Sequence, residues 1–340
     1  MNKPPYTITE AAADYLAKIA ETVTRLEFGT DFKRDIRLHR ENRIRSIYSS
    51  LAIENNGLTI EQVTDVINGR LVAGKHAEIK EVKNAYEAYD RILTLDPYKP
   101  EDFLKAHKLM TNELIEEAGS FRSRDVGVFD EGRAVHIGAR PQFVPRLIEE
   151  LFAWGRMSDL HPLLKSGILH YEIETIHPFA DGNGRMGRLW QTLILSKWND
   201  LFAWIPMESV VYVNRQGYYG AIEASRRDDD SGKFIEFMLK ALYTSITEQI
   251  EHQEKSIARK NIASIDGGEN GGEKYRLSAT QATVLSAIEA NNWVTTEQLI
   301  AEVGKTKSTI ERAIKTLKEK GLLKRDGPDK GGRWVCGPVK

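Results

Sequence analysis

The chain has 340 residues, 41% of them hydrophobic and 29% charged, which suits about two globular domains and excludes a disordered chain. Its single cysteine, Cys336, excludes an intramolecular disulfide framework and any cysteine-based metal site. No run of about 18 uncharged apolar residues occurs and the first residues lack a secretory apolar core, so the expectation is a cytoplasmic protein without a membrane span. The formal charge of −1 is uneven, because residues 273–340 carry 13 Lys or Arg against 8 Asp or Glu.

In chain order, residues 8–28 and 33–54 read as helices, the second carrying Ile36, Ile44, Ile47, Tyr48 and Leu51 and stopped by Asn55-Asn56-Gly57. Thr59 with Gln62 is a capping box for the next helix. Residues 76–117 continue helical, broken by Asp96-Pro97-Tyr98-Lys99-Pro100, with Pro100 opening a new helix. From Phe121 to Gly138 the pattern changes, and Val126, Val128 and Phe129, then Ala134, Val135 and Ile137, flank Asp130-Glu-Gly-Arg133 as a hairpin.

Leu163, Leu164, Ile168, Leu169, Ile173 and Ile176 recur at a helical period that Pro178 stops at His177. A further helix, with Leu189, Trp190, Leu193 and Ile194 on one face, starts after Asp181-Gly182-Asn183-Gly184. Successive N–H groups in such a turn, at the positive end of a helix, suit phosphate oxygens, and Arg185 and Arg188 share the helical face beside it. Gly182 to Gly187 also satisfies GxGxxG. That fingerprint needs a preceding strand and an acidic residue ending a second one, whereas here a helix precedes and Asp200 follows a helix.

His170, seven residues before His177, reads as a structural histidine. Tyr218 and Tyr219 are adjacent on a helix, so only one can face the core. Asp228-Asp-Asp-Ser-Gly reads as a solvated loop, and the glycine-rich residues 260–274 as a flexible linker. Beyond it come three short helices, Ser278 to Ala290, Thr295 to Val303 and about Thr306 to Lys320, the first two with capping boxes completed by Gln281 and Gln298. Two strands around Asp326-Gly-Pro-Asp-Lys-Gly-Gly332 end the chain. The order looks like a winged helix, whose third helix would offer Lys305, Lys307, Ser308, Arg312 and Lys315 to DNA, unless the wing serves protein contacts or a homodimer.

Residues His177-Pro-Phe-Ala-Asp-Gly-Asn-Gly-Arg-Met-Gly-Arg188 resemble the Fic family motif HPFxDGNGRxxR at every defined position. The resemblance implies a mainly α fold, a Fic-type helical bundle with a small β-hairpin flap, here followed by a winged-helix (α+β) domain. It also implies transfer of AMP from ATP to a Tyr, Thr or Ser hydroxyl of a target protein or of the chain itself. His177 would be the general base, Asp181 the ligand of Mg²⁺ or Mn²⁺, Asn183 a partner of the α-phosphate, and Gly182 and Gly184 the N–H donors to the leaving pyrophosphate. Arg185 would meet the β-phosphate and Arg188 the γ-phosphate.

Ser50-Leu-Ala-Ile-Glu54-Asn55 resembles the family's inhibitory (S/T)xxxE(G/N) motif, which would set helix 33–55 against the nucleotide pocket and pair Glu54 bidentately with Arg188. The hairpin takes the place of the family's flap, where Val135, His136 and Ile137 would hold a target segment by strand addition. Tyr219, before Tyr218, is the expected aromatic neighbour of adenine. The implied division is 1–95 for an N-terminal helical region, 96–259 for the Fic core, 260–274 for the linker and 275–340 for the winged helix. Two other readings remain: a hydrolase that removes AMP with water placed by Glu54, and a DNA-binding regulator whose core senses nucleotide. The second leaves His177 without a purpose, since sensing needs no base.

Overall fold

Capping chemistry sets many of the helix starts. In the computed structural model, which describes residues 3–130, 133–265, 277–292, 294–326 and 333–336, Thr9 caps α1 (Glu10–Gly29) and Asp35 caps α2 (Ile36–Ile53). Thr59 and Gln62 close a reciprocal box on α3 (Ile60–Ile67), as their spacing predicts. After α4 (His76–Arg91), Pro100 occupies the first turn of α5 (Pro100–Thr111). The helix expected to reach residue 117 ends at Thr111, and Glu113 at φ 60° and Gly119 at φ 82° turn the chain back.

Strands β1 (Gly127–Asp130) and β2 (Arg133–Ile137) form an antiparallel hairpin pairing Gly127 with Ile137 and Asp130 with Arg133, with an irregularity between Val128 and Phe129. Then follow α6 (Val144–Met157), α7 (Pro162–Ile176) and α8 (Asn183–Trp198). The sequence pattern suggests one buried face on the last two; both are instead buried on nearly every side, the position of central helices. They pack on each other, and Phe103 of α5 meets Phe152 of α6 and Trp190 of α8 edge to face, with centroids 5.3 and 4.8 Å away. α9 (Met207–Val213), α10 (Arg215–Asp228) and α11 (Gly232–Ile265) complete the bundle.

A single apolar core runs from Ala12 to Ile250, so residues 1–95 are not a separate body. The chain divides instead into two compact units, Met1–Lys255 and Ser256–Lys340. α11 continues to Ile265, so the stretch expected to be linker from residue 260 is helical over its first residues; 266–274 lie outside the described residues. The loop expected to be merely solvated also differs. Asp230 accepts from the N–H of Thr7 at 2.9 Å and from its hydroxyl at 2.8 Å, and the N–H of Ser231 donates to Pro5 O at 3.1 Å, so this loop fastens the N-terminal segment.

The second unit holds α12 (Ala279–Ala290), α13 (Thr296–Val303) and α14 (Lys307–Glu319), then β3 (Leu323–Asp326) antiparallel to β4 (Arg333–Cys336). Both expected capping boxes form. Trp334, 5% exposed, anchors the wing by donating its indole N–H to Val294 O at 2.9 Å within a core of Val284, Ile288, Leu299, Ile310 and Leu317. The expected turn at 327–332 lies outside the described residues. No helix among the described residues is long and apolar enough to cross a membrane.

Candidate active site

Helix α7 stops where Pro178 forbids its continuation, and His177 takes the left-handed conformation, φ 53° and ψ 61°, while its N–H still donates to Ile173 O at 2.9 Å. The His177 imidazole is half-buried, its Nδ1 3.4 Å from the Glu174 carbonyl. A carbonyl can only accept, so Nδ1 carries the hydrogen and Nε2 is the basic nitrogen. Burial pushes the His177 pKa below its ordinary value, with the charge of Glu174 opposing, and the ring is neutral near pH 7.

The turn is closed from inside. Asn183 Oδ1 accepts from Phe179 N and Asn183 Nδ2 donates to Phe179 O, both at 2.9 Å, so the carboxamide expected on an α-phosphate also ties the loop, with one N–H still to donate. His107 of α5 grips it from behind. Its ring stacks on Phe179 with centroids 3.6 Å apart, and its Nδ1 accepts from Gly119 N at 3.0 Å, so Nε2–H donates to Asp181 O at 3.0 Å. Burial lowers the His107 pKa to about 4, which fixes it as the neutral tautomer. In a trans peptide C=O and N–H point opposite ways, so holding the Asp181 carbonyl aims the Gly182 N–H away from His107.

Gly182 sits at φ 85° and no side chain caps α8, so the N–H groups of its first turn form an anion site. Arg185 is buried and reaches the half-exposed Asp181 carboxylate at 2.7 Å. Arg188, wholly buried, donates through Nε to Ser50 Oγ at 3.0 Å and through Nη2 to Ser50 O at 3.0 Å and Glu54 Oε1 at 2.7 Å. The expected bidentate pair with Glu54 is therefore a fork shared between Glu54 and Ser50. Burial alone would lower the Arg188 pKa; Glu54, Tyr218 and Glu174 together outweigh it and hold the guanidinium well above its usual value. Nη1 of both Arg185 and Arg188 is buried without a hydrogen-bond partner among the described residues, an uncommon state that a phosphate would relieve.

Glu54 ends α2 and Asn55 follows at φ 65°, which turns the chain away just after the carboxylate is delivered. A Cβ on Gly184 would collide with Glu54 Oε1, so the carboxylate lies directly on the anion turn.

Residues 97–195 match the Fic/DOC family and residues 277–333 the MarR family. The crystal structure of a Fic family protein from Desulfovibrio desulfuricans G20 is 36% identical, aligns over 100% of this chain and 99% of its own, and has a TM-score of 0.72. The chain belongs to the Fic family. Fic-1 from Caenorhabditis elegans shares the fold, with a TM-score of 0.58 at 23% identity over 73% of each chain. Protein adenylyltransferase fic-1 of C. elegans is 27% identical over 271 residues, and protein adenylyltransferase Fic of Nematostella vectensis 28% over 218. These alignments take in 75% and 61% of this chain but 48% of each relative, so the chain spans about half the length of the curated relatives it matches.

Around this Fic motif the structure gathers His177, Asp181, Gly182, Gly184, Arg185, Arg188, Ser50 and Glu54. Tyr218 and Tyr219 separate as their adjacency requires: Tyr218 is 1% exposed and donates to Glu174 Oε1 at 3.2 Å, while Tyr219 is 46% exposed and is the one available to a ligand. His170 is structural, its Nδ1 2.6 Å from Gln191 Oε1 in the core. Val135, His136 and Ile137 lie in β2, their side chains outside the described residues. Three residues escaped the sequence reading: His107, Arg122 and Glu174. Glu174 is largely enclosed beside His170 and Arg188; burial would raise its carboxyl, but the His170 contact and the nearby cations hold it below the usual carboxylate range. Its position three residues before His177, one helical turn, was the available signal.

Proposed function

We propose that this Fic protein transfers AMP from ATP to a Tyr, Thr or Ser hydroxyl of a target protein or of itself, and that Glu54 holds it inactive. The observation that carries the reading is the Glu54 carboxylate on Gly184 and Arg188: the protein's own anion occupies the turn where a phosphate would bind. The adenylyltransferase relatives support the reaction class.

In this reading the target oxygen attacks the α-phosphorus of ATP, the bond from that phosphorus to the bridging oxygen breaks, and pyrophosphate leaves. His177 Nε2 takes the hydroxyl proton. N–H groups of the α8 first turn, with Arg185 and Arg188, balance charge on the departing phosphates. Among the described residues no group of three His, Cys, Asp or Glu is placed to hold a metal, and the exposed Asp181 carboxylate suits Mg²⁺, which takes one or two carboxylates and completes its shell with phosphate oxygens. When bound, that ion neutralises phosphate charge. Asn183 supports the turn, and Tyr219 is the candidate neighbour of adenine.

The test compares label incorporation into protein from α-labelled and γ-labelled ATP for the wild type, Glu54→Gly, Arg188→Ala and the double variant. A charged hydrogen bond is worth about 1.5–3 kcal/mol, and Glu54 is 37% exposed, so the low end applies and release should be roughly tenfold. Glu54→Gly is expected to raise α-label incorporation by that factor or more, and not when Arg188 is also replaced. Transfer of the γ label would make the protein a kinase, and loss of AMP from labelled protein requiring Glu54 would make it a hydrolase.

A second reading concerns residues 277–333, whose match to the MarR family supports DNA binding. Lys305, Lys307, Ser308, Arg312 and Lys315 are all exposed on or just before α14, but Lys307 and Lys315 lie 3.9 Å from Glu311 and Glu319, which discounts two of the four cations.

A further inference from the structure

Between α5 and β1, Arg122 is 2% exposed and spends its guanidinium entirely on backbone carbonyls. Nε donates to His177 O at 2.7 Å, Nη1 to Arg124 O at 2.8 Å, and Nη2 to Ala139 O and, at 3.5 Å, to Ile176 O. Its own N–H donates to Pro178 O at 3.1 Å, and Ala139 N donates to Ile176 O at 3.3 Å. These acceptors fall into two groups. Ile176, His177 and Pro178 are the left-handed junction that aims the imidazole; Arg124 and Ala139 are the two stems of the β1–β2 hairpin. Gly138 completes the joint, since a Cβ there would come within 2.8 Å of Arg122 Nη2 and 3.1 Å of His177 Cβ.

We infer that Arg122 is a positioning residue: one buried guanidinium holds the backbone of His177 in its left-handed conformation and ties both hairpin stems to it, so that the base and the hairpin edge keep one register. A buried arginine without a carboxylate hydrogen bond is costly, and it is compensated only while the four carbonyls its guanidinium meets stay where they are. A left-handed non-glycine residue likewise persists only where its surroundings over-determine it. The two costs are met by one contact set. Lysine cannot replace it, because a single ammonium does not span two stems and a junction.

The inference rests on the AMP-transfer reading for its kinetic consequence and on geometry alone for its spectroscopic one. The experiment uses Arg122→Met and Arg122→Lys in the full-length Glu54→Gly chain, with folding checked by circular dichroism. The first readout is kcat and KM for ATP. Because about 1 Å of misplacement can cost on the order of 100-fold, Arg122→Met should lower kcat roughly 10- to 100-fold and leave KM for ATP within about threefold. Arg122→Lys should lose most of the same rate.

The second readout is the NMR titration of the His177 ring. Among the described residues, Glu174 from α7 raises the pKa of that ring, and Arg122 and Arg226 lower it. Removing the Arg122 cation therefore moves the titration to higher pH in Arg122→Met, while Arg122→Lys leaves it near the parent value. An unchanged kcat in a folded Arg122→Met, or full activity in Arg122→Lys, overturns the inference. Should Arg122→Met not fold, Arg122→Lys decides by its rate. If the Glu54→Gly parent incorporates no label, AMP transfer is what fails, and the backbone amide resonances of His177 and Ala139 judge Arg122 by themselves: displacement in both Arg122→Met and Arg122→Lys supports the inference, and unchanged resonances overturn it.

Discussion

His107 is a neutral donor that does not titrate near neutrality. Replacing it by alanine leaves the Asp181 carbonyl and the Gly119 N–H without their partner, at about 1–3 kcal/mol each, and removes the stack on Phe179. In a Glu54→Gly background, His107→Ala should raise KM for ATP about tenfold and lower kcat less, because it disturbs the peptide that aims the Gly182 N–H while His177 is held by other contacts. Steady-state kinetics at fixed Mg²⁺ check this; a larger loss in kcat than in KM would assign His107 elsewhere. At this scale the sequence was readable where function is contiguous. Twelve consecutive residues carry the motif and three-residue spacings carry the capping boxes. Arg122 and His107 act on residues 55 and 74 positions away, and no local pattern distinguishes either from an ordinary arginine or histidine.

Helix α2 shows where periodicity misleads. Ile44, Ile47 and Leu51 are buried as their spacing predicts, but Ile36 is 82% exposed, and Asn42, Arg43, Ser46, Ser49 and Ser50 share the buried face. Hydroxyls and carboxamides, rather than a continuous apolar stripe, seat this helix. Ser46 donates to Glu208 Oε2 at 2.8 Å, Tyr89 of α4 donates to Glu208 Oε1 at 2.7 Å, and Asn42 donates to Trp204 O at 3.0 Å and Gln249 Oε1 at 2.7 Å. A sequence reading counts apolar letters and so cannot see a polar seam whose partners lie 162 or more residues away. Ser46→Ala leaves one oxygen of a fully buried carboxylate short of a donor, at about 1–3 kcal/mol. With Glu54 intact, that variant should lower the thermal midpoint and raise AMP incorporation severalfold, and in Glu54→Gly it should raise nothing further. A lowered midpoint with unchanged incorporation would separate the seating of α2 from inhibition.

The division into Met1–Lys255 and Ser256–Lys340 predicts that a chain ending at residue 265 keeps the site. Its thermal unfolding should stay cooperative, and its Glu54→Gly form should transfer AMP within about twofold of the full-length rate; an insoluble or inactive product would contradict the boundary. If the MarR-like unit binds duplex DNA, only the full chain should shift it. With two of the four cations discounted, affinity should then fall with salt at a logarithmic slope of about −2 for each copy of the unit.

The single core that joins α2 to α7 and α8 has a last consequence. If Glu54 inhibits as proposed, it is a ligand tethered to its own receptor, and a tethered ligand acts at a fixed local concentration set by geometry rather than by supply. Diluting the protein leaves that concentration untouched, and an ATP excess has to outcompete a carboxylate that cannot diffuse away. On that reading, whatever turns this protein on does mechanical work on the last turn of α2.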